Sequence, residues 1–262
     1  MNRIEDARRA FLSKDKISAQ KSHVQEVVHK SIHHKELHAT SFNLPEIILG
    51  AQDGLVNVLG VILGVAAATL SSQIVIVAGL AATFAESVSM GAVAYTSKLA
   101  EADYYKSEYE RERWEIENIP QGEKEEIRAL YENYGFHGKI LDEIIERITA
   151  DKKIWLEVMM QQELKLEPVE RKEALPASII VGVSALIGSF IPLLSFFFFP
   201  IKLSIILSLI TTSTALFGIG FYKAKTTTGK GLWQQGGEMM IIGMLSALVG
   251  YFIGSLFKVK VF

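Results

Sequence analysis

The sequence contains no cysteine among its 262 residues. Disulfide bonds and thiolate metal sites are therefore excluded, as is common in proteins that face the cytoplasm. The formal net charge is only −2, which gives no electrostatic argument for nucleic-acid binding. Residues 1–40 are charged and lack the apolar stretch of a cleavable signal peptide, so we expect the first membrane helix to act as the insertion signal.

Long uncharged stretches are the dominant feature that is present. Hydrophobic residues make up 49% of the chain although 21% of its residues are charged, so the two kinds occupy separate regions. Five stretches have the ~20 apolar residues needed to cross a hydrocarbon core. They lie at about 43–69, 74–97, 175–197, 201–222 and 236–257, with a tight turn between the first two at Leu70 to Gln73. Five buried helices of a soluble protein would leave too little polar sequence to cover them. The sequence therefore predicts an all-α membrane protein with five transmembrane helices.

A polar insert separates the second and third apolar stretches. Residues 98–173 hold 20 of the 29 acidic residues and 13 basic ones. Apolar residues recur there at helical spacing, as in Ile140, Ile144 and Ile148, which predicts about three amphipathic helices with breaks near Pro120 and Gly135. The predicted domains are a histidine-rich, amphipathic N-terminal segment (1–40), transmembrane helices one and two (41–97), the acidic insert (98–173) and transmembrane helices three to five (174–262).

Basic residues indicate the orientation in the membrane. Lysine and arginine concentrate in the N-terminal segment and in the short loop after the fourth apolar stretch, which contains Lys223, Lys225 and Lys230. Because basic flanks stay on the cytoplasmic side, we expect the N-terminus, the insert and this loop to be cytoplasmic.

Two acidic residues lie well inside the apolar stretches, Asp53 in the first and Glu86 in the second. Charged residues in a membrane span are costly and rare, so each is a candidate functional residue. Met90 follows Glu86 by one helical turn, so one helix face offers a carboxylate and a thioether. A protonated acid that makes a packing hydrogen bond is the alternative for Asp53, and ordinary packing is the alternative for Met90. Two carboxylates on adjacent helices favour a pathway for cations or protons.

The insert repeats carboxylates at helical spacing. Three stripes are present: Glu108, Glu112 and Glu115; Glu123 and Glu126; and Met159, Glu163 and Glu167, with Met160 beside the last. Clustered carboxylates repel one another unless a cation or protons neutralise them. Thioether sulfur shifts the preference of such a site from magnesium or calcium toward softer ions such as iron(II). A solvated charged helix face is the alternative that spacing alone leaves open.

The order of these motifs resembles the vacuolar iron transporter family from about Leu44 to the C-terminus. The motifs are Asp53-Gly54, Ser89-Met90-Gly91, Glu101-x-Asp103-Tyr104-Tyr105 and Trp155-Leu156-x-x-Met159-Met160-x-x-Glu163. The resemblance implies a transporter rather than an enzyme, a homodimer in the lipid bilayer that exports iron(II) from the cytoplasm in exchange for protons. Many members carry manganese(II), and zinc(II) or cobalt(II) fit the same donor atoms.

The resemblance implies a metal-binding role for residues in both regions. The motifs place this role on Asp53, Glu86, Met90, Glu112, Glu115, Glu123, Glu126, Met159, Met160, Glu163 and Glu167. Plant members carry their second-span glutamate eight residues before the methionine, where this chain has Ala82. Since Glu86 is one turn closer to Met90, we expect the intramembrane site about one turn, ~5.4 Å, nearer the cytoplasmic end.

Two other functions remain open at this stage, a membrane-tethered metal buffer or sensor and a ferroxidase, each binding iron through the insert. Neither would need acids inside the membrane. Five of the six histidines lie before the region of resemblance: His23, His29, His33, His34 and His38. Pairs of them at i, i+4 suit metal binding, and an amphipathic helix on the membrane surface is the other interpretation.

Overall fold

A computed structural model describes residues 9–21, 44–227 and 229–257. The five N-terminal histidines lie outside the described residues. All regular structure in the described ranges is helical. After the short helix α1 (Lys16–Lys21), five helices are long and apolar enough to cross a membrane. They are α2 (Leu44–Thr69), α3 (Ser72–Asn118), α7 (Ala174–Phe198), α8 (Ile201–Thr227) and α9 (Leu232–Leu256). The predicted all-α fold with five membrane helices is confirmed.

The chain forms two compact units. The membrane unit consists of Met1–Ala92 and Ala177–Phe262, and the insert unit is Val93–Pro176. Helix α3 continues without a break from the apolar part of the sequence into the acidic part and ends only at Asn118. The first helix of the insert is therefore an extension of the second membrane helix.

Glycines bring α2 into backbone contact with two neighbours in the membrane unit. A Cβ atom added at Gly54 would overlap the carbonyl oxygen of Ala185 in α7, and one added at Gly254 in α9 would overlap the carbonyl oxygen of Gly64. Gly250 meets Gly60 in the same way one turn earlier. Because lipid tails are as apolar as leucine, close approach of small residues is what holds membrane helices together.

Serine hydroxyls add hydrogen bonds between the membrane helices. Ser195 Oγ donates to the Ser204 carbonyl oxygen at 2.9 Å, and Ser204 Oγ donates to the Ser195 carbonyl oxygen at 3.1 Å, which joins α7 to α8. Ser87 Oγ donates to the Gly182 carbonyl oxygen at 2.7 Å and joins α3 to α7. These bonds satisfy hydroxyl groups in surroundings that offer no water.

The insert unit adds three helices to the extension of α3. They are α4 (Pro120–Asn133), α5 (Lys139–Thr149) and α6 (Lys152–Val158), followed by a π-helical turn (Met159–Glu163) and a 3-10 turn (Arg171–Glu173). The predicted breaks near Pro120 and Gly135 are present, and Gly135 has φ +89°, a conformation that glycine adopts at little cost. A further break precedes α6, where Asp151 Oδ1 accepts hydrogen bonds from the backbone N–H groups of Lys153 and Ile154.

A hydrophobic core holds the insert helices together. It consists of Ile116, Ile127, Leu141, Ile145, Trp155, Leu156, Met159 and Met160. Within α5, Leu141 and Ile145 are buried in this core, Ile148 packs against it, and Ile140 is exposed. Two overlapping i, i+4 series run along this helix, and periodicity alone did not tell which of them faces the core.

Candidate metal-binding sites

The two acids of the membrane unit meet across the hairpin of α2 and α3. The turn between the helices falls at Leu70, and Asp53 lies nearly as far before it as Glu86 lies after it. Their carboxyl groups lie close enough to interact directly. Asn57, one turn after Asp53, donates a hydrogen bond from Nδ2 to Glu86 Oε2. The hairpin thus converts two distant sequence positions into one carboxyl pair.

This pair offers oxygen donors to a cation. Two facing carboxylates repel each other unless they share a proton or a cation, and the Asn57 amide adds a polar group beside them. Asp53 and Asn57 also border an open groove of about 650 Å³, whose far side is formed by Ser246 and Gly250 of α9. Met90 lies one turn after Glu86 and is half-buried.

The insert unit contains a denser cluster of carboxylates. Glu112 and Glu115 on α3 and Glu123 on α4 each place one carboxylate oxygen so that the three oxygens lie within 4.8 Å of one another. Glu112 is 1% exposed and Glu123 is 2% exposed. The Oε2 atoms of Glu112, Glu123 and Glu163 are buried and have no hydrogen-bond partner among the described residues. Buried polar oxygens without partners are costly, so this geometry suits a site that a cation or protons complete.

Glu163 and Glu126 extend the same cluster. Glu163 lies in the π-helical turn, and its carboxyl group is close enough to that of Glu126 to interact directly. Burial, with the charges of Glu126 and Glu112, raises the pKa of Glu163 to about 7. Burial, with the charges of Glu126 and its neighbours, raises the pKa of Glu123 to about 8. Near neutral pH the carboxyl groups of the metal-free cluster are therefore partly protonated. A metal ion must displace these protons in order to bind.

The other predicted ligands of the insert are two methionines and Glu167. Met159 and Met160 are buried in the hydrophobic core of that unit. Glu167 is exposed. The structure thus brings five predicted carboxylates of the insert together, and it brings Asp53 to Glu86 in the membrane unit. A metal-binding role for all of these residues stays a prediction.

Arg111 belongs to the insert cluster although its role was missed from the sequence. Its Nη2 atom lies 2.8 Å from Glu108 Oε2 and 2.6 Å from Glu112 Oε1, and its Nη1 atom contacts Glu115 Oε2. The signal was present, because residues three and four positions apart share a helix face and Arg111 has glutamates at both spacings.

Comparison with known proteins agrees with the predicted family. The sequence profile of the VIT family matches residues 44–255. A vacuolar iron transporter of Centaurea cyanus is 34% identical over 203 residues, which cover 77% of this chain and 83% of that protein. A vacuolar iron transporter of Plasmodium falciparum is 30% identical over 264 residues, which cover 97% of this chain and 96% of that protein. Vacuolar iron transporter 1 of Arabidopsis thaliana is 31% identical over 221 residues, covering 84% and 88%.

Proposed function

Because this chain belongs to the VIT family, we propose that it exports iron(II) from the cytoplasm in exchange for protons. The chain is an integral membrane protein with a role in metal transport. The cargo, the direction and the coupling to protons are the parts proposed for it here.

The carboxyl pair of Asp53 and Glu86 carries this proposal. Acids inside a membrane span are retained where they serve an ion or proton path. A metal buffer or a surface ferroxidase would bind iron through the insert and would not need this pair. Since one carboxylate cannot hold a proton and a metal ion at once, protonation of the pair from the far side would release the metal.

The insert cluster supports a second part of the proposal, the capture of metal before transport. Glu112, Glu115 and Glu123 each direct one carboxylate oxygen toward the others, and the Oε2 atoms of Glu112 and Glu123 are buried without a hydrogen-bond partner among the described residues. Protons would leave the cluster as the metal enters it. Manganese(II), zinc(II) and cobalt(II) would compete with iron(II), whereas magnesium and calcium would not if thioether ligands take part.

We also propose that the transporter is a homodimer. Asp53 and Glu86 are each only half-buried within a single chain, and Asn57 is exposed. A polar group that faces lipid is costly. A second copy that covers this side of the hairpin would remove these groups from lipid, which is the assembly that the family resemblance implies.

Transport in proteoliposomes tests the proposal directly. Iron(II) kept reduced under argon is added outside vesicles that contain an iron-quenched dye and a pH dye. Valinomycin with equal potassium on both sides holds the voltage at zero. Antiport predicts that the internal pH rises as iron enters. Iron entry without a change in internal pH would contradict the proposed exchange for protons. Iron that binds to the vesicles without entering them would indicate a metal buffer.

Two variants link transport to the carboxyl pair. Asp53→Ala and Glu86→Ala should each lower iron flux at least tenfold, because each removes one of the two acids of the path. Glu110→Ala is the matched control, since Glu110 lies on the same helix as Glu86 but its side chain is 66% exposed. All three proteins should elute from a sizing column like the parent. Parental flux in both pathway variants would eliminate the carboxyl pair as the route.

The absence of native cysteine allows the orientation to be tested. A single cysteine is introduced at Lys124 in the insert, or at Phe199 in the turn between α7 and α8. In intact bacterial cells that express the protein in their inner membrane, a maleimide that crosses only the outer membrane should label Phe199→Cys and leave Lys124→Cys unlabelled. The reverse pattern would invert the proposed topology.

A further inference from the structure

The guanidinium group of Arg111 occupies the place where positive charge is needed in the insert cluster. It contacts Glu108, Glu112 and Glu115 at once, with N to O distances of 2.8 Å to Glu108 and 2.6 Å to Glu112. Glu112 and Glu115 are two of the three residues whose oxygens converge within 4.8 Å. A cation of the protein itself therefore bonds to carboxylates that a metal ion would use.

The neutralisation that Arg111 provides is incomplete. Each of Glu112 and Glu123 keeps one buried oxygen without a partner among the described residues, although Glu112 uses its other oxygen to bind Arg111. One guanidinium carries one positive charge, and protons provide the rest of the neutralisation while no metal is bound. The cluster can therefore still accept a cation of higher charge.

Arg111 lies at the more exposed side of the cluster. Its side chain is 43% exposed, whereas that of Glu112 is 1% exposed. The guanidinium thus sits at the solvent side of the group and has a route to water. Arginine keeps its charge at any physiological pH, so displacement rather than deprotonation is the way to remove it.

We propose that Arg111 is a resident counter-ion of the insert cluster, and that an incoming dication displaces it from Glu112 and Glu115. This inference rests on the proposed function, in which the cluster captures metal. The resident charge stabilises the empty cluster and lowers its affinity for metal. A monovalent ion brings no more charge than the guanidinium it would replace, so Arg111 also favours dications.

Metal binding to the full-length protein in detergent tests this role. Bound iron(II) is counted after anaerobic equilibrium dialysis for the parent, Arg111→Gln and Arg113→Gln. Arg113 is the matched control, because it lies two positions further along the same helix, its side chain is 68% exposed, and it pairs with Glu117 outside the cluster. Both substitutions remove one positive charge from α3. Only Arg111→Gln removes it from the carboxylates.

Arg111→Gln should bind iron(II) about tenfold more tightly than the parent, because the metal no longer breaks charge-assisted hydrogen bonds to enter. Arg113→Gln should keep the parental affinity. Unchanged or weaker binding by Arg111→Gln would overturn the inference. An equal gain in both variants would overturn it as well, since net charge alone would then explain the effect.

A further variant separates this inference from the proposed function. Glu112→Gln with Glu123→Gln should lower the amount of bound iron by the share that the insert cluster holds. If it leaves the amount of bound iron unchanged, the cluster is not the metal site, and the proposed capture role and the inference both fall. If it removes iron while Arg111→Gln has parental affinity, only the inference falls.

Stability of the metal-free protein provides a second readout. Without metal, Arg111→Gln should melt at a lower temperature than Arg113→Gln, because its buried carboxylates lose their counter-ion. Added iron(II) should restore the melting temperature of Arg111→Gln. If Arg111→Gln does not fold, Arg111→Lys serves instead. A single ammonium group cannot reproduce the forked contacts of a guanidinium, so this variant should bind iron(II) more tightly than the parent. Parental affinity in the lysine variant would contradict the displacement of Arg111.

Discussion

The membrane unit and the insert unit are both helical and both bury large side chains, but within the described residues only the membrane unit also brings helix backbones together at glycines. In the membrane unit, glycines such as Gly54 and Gly254 remove side chains so that backbones touch. In the insert unit, large side chains such as Trp155 and Ile127 fill a core. The solvent explains the difference, because burial of apolar surface drives packing only where water is the alternative.

The two units also neutralise their acids differently. Asp53 and Glu86 meet across one hairpin and receive an amide from Asn57. The insert brings carboxylates from α3, α4 and the π-helical turn together and adds a guanidinium. The membrane pair therefore depends on one turn, whereas the insert cluster depends on the packing of a whole core.

Removing a large side chain should harm the insert unit most. Trp155→Ala deletes a side chain that is 3% exposed, and we expect a loss of about 3–5 kcal/mol in the free energy of unfolding. Trp114→Ala, on α3 in the same unit, is the control, because Trp114 is 58% exposed. Protease cleavage within the insert on heating measures the effect. Equal resistance of the two variants would show that the core does not hold this unit.

Adding a side chain should harm the membrane unit instead. Gly254→Leu places atoms against the backbone of Gly64, and we expect a loss of about 1–3 kcal/mol. Gly237→Leu on the same helix is the control, because a Cβ atom at Gly237 meets nothing within 4 Å. The melting temperature in detergent should fall for the first variant only. A fall in both would mean that α9 tolerates no leucine, whatever the position.

The next largest expected effect is the pH dependence of stability that comes from the insert cluster. The carboxyl of Glu123 releases its proton at about pH 8 in the folded chain and at its ordinary value of 4.5 when unfolded. The folded state then binds more protons between these values, so the free energy of unfolding falls as pH rises through this window. We expect metal-free protein to melt a few degrees higher at about pH 5.5 than at about pH 8.5.

Replacing Glu123 by glutamine should flatten that slope. Glu125→Gln is the control, because Glu125 is a neighbouring residue whose side chain is 70% exposed. If the melting temperature of Glu123→Gln still falls with pH, other groups cause the pH dependence. Saturating iron(II) should remove the pH dependence in the parent, because bound metal takes the place of the protons.

The smallest effect is expected at Glu167. This residue is exposed and lies outside the convergent carboxylates. Glu167→Gln should change the affinity for iron(II) less than twofold, as is usual for an exposed charge, in the same dialysis measurement. A loss comparable to that of a cluster glutamate would show that the loaded site includes the segment after the π-helical turn.

The sequence predicts the positions of the helices better than the contacts between them. Length and hydropathy are local properties, so the five membrane helices and the breaks at Pro120 and Gly135 could be predicted. The extension of α3 to Asn118 could not, because the pattern changes from apolar to acidic while the backbone continues. Proline disrupts a helix interior, and α3 contains none before the break that precedes Pro120.

The candidate sites follow the same rule. Helical spacing grouped the glutamates into stripes, but only tertiary packing brings Glu123 and Glu163 to Glu112. The methionine motif predicted ligands, and the structure shows that Met159 is also part of the hydrophobic core of the insert. Arg111 was missed because a basic residue among acids usually forms only a surface ion pair. Here its partner Glu112 is buried, and the sequence does not show that burial.

The contact of Gly60 and Gly64 with Gly250 and Gly254 has a consequence for biosynthesis. A ribosome that has finished α2 must add about 190 more residues before α9 is complete, which takes roughly 10–40 s at typical synthesis rates. During that interval the glycine face of α2 has no partner except lipid or a chaperone of the membrane. A quality-control factor that binds this exposed glycine face would recognise unfinished or truncated chains before any of them could carry an ion.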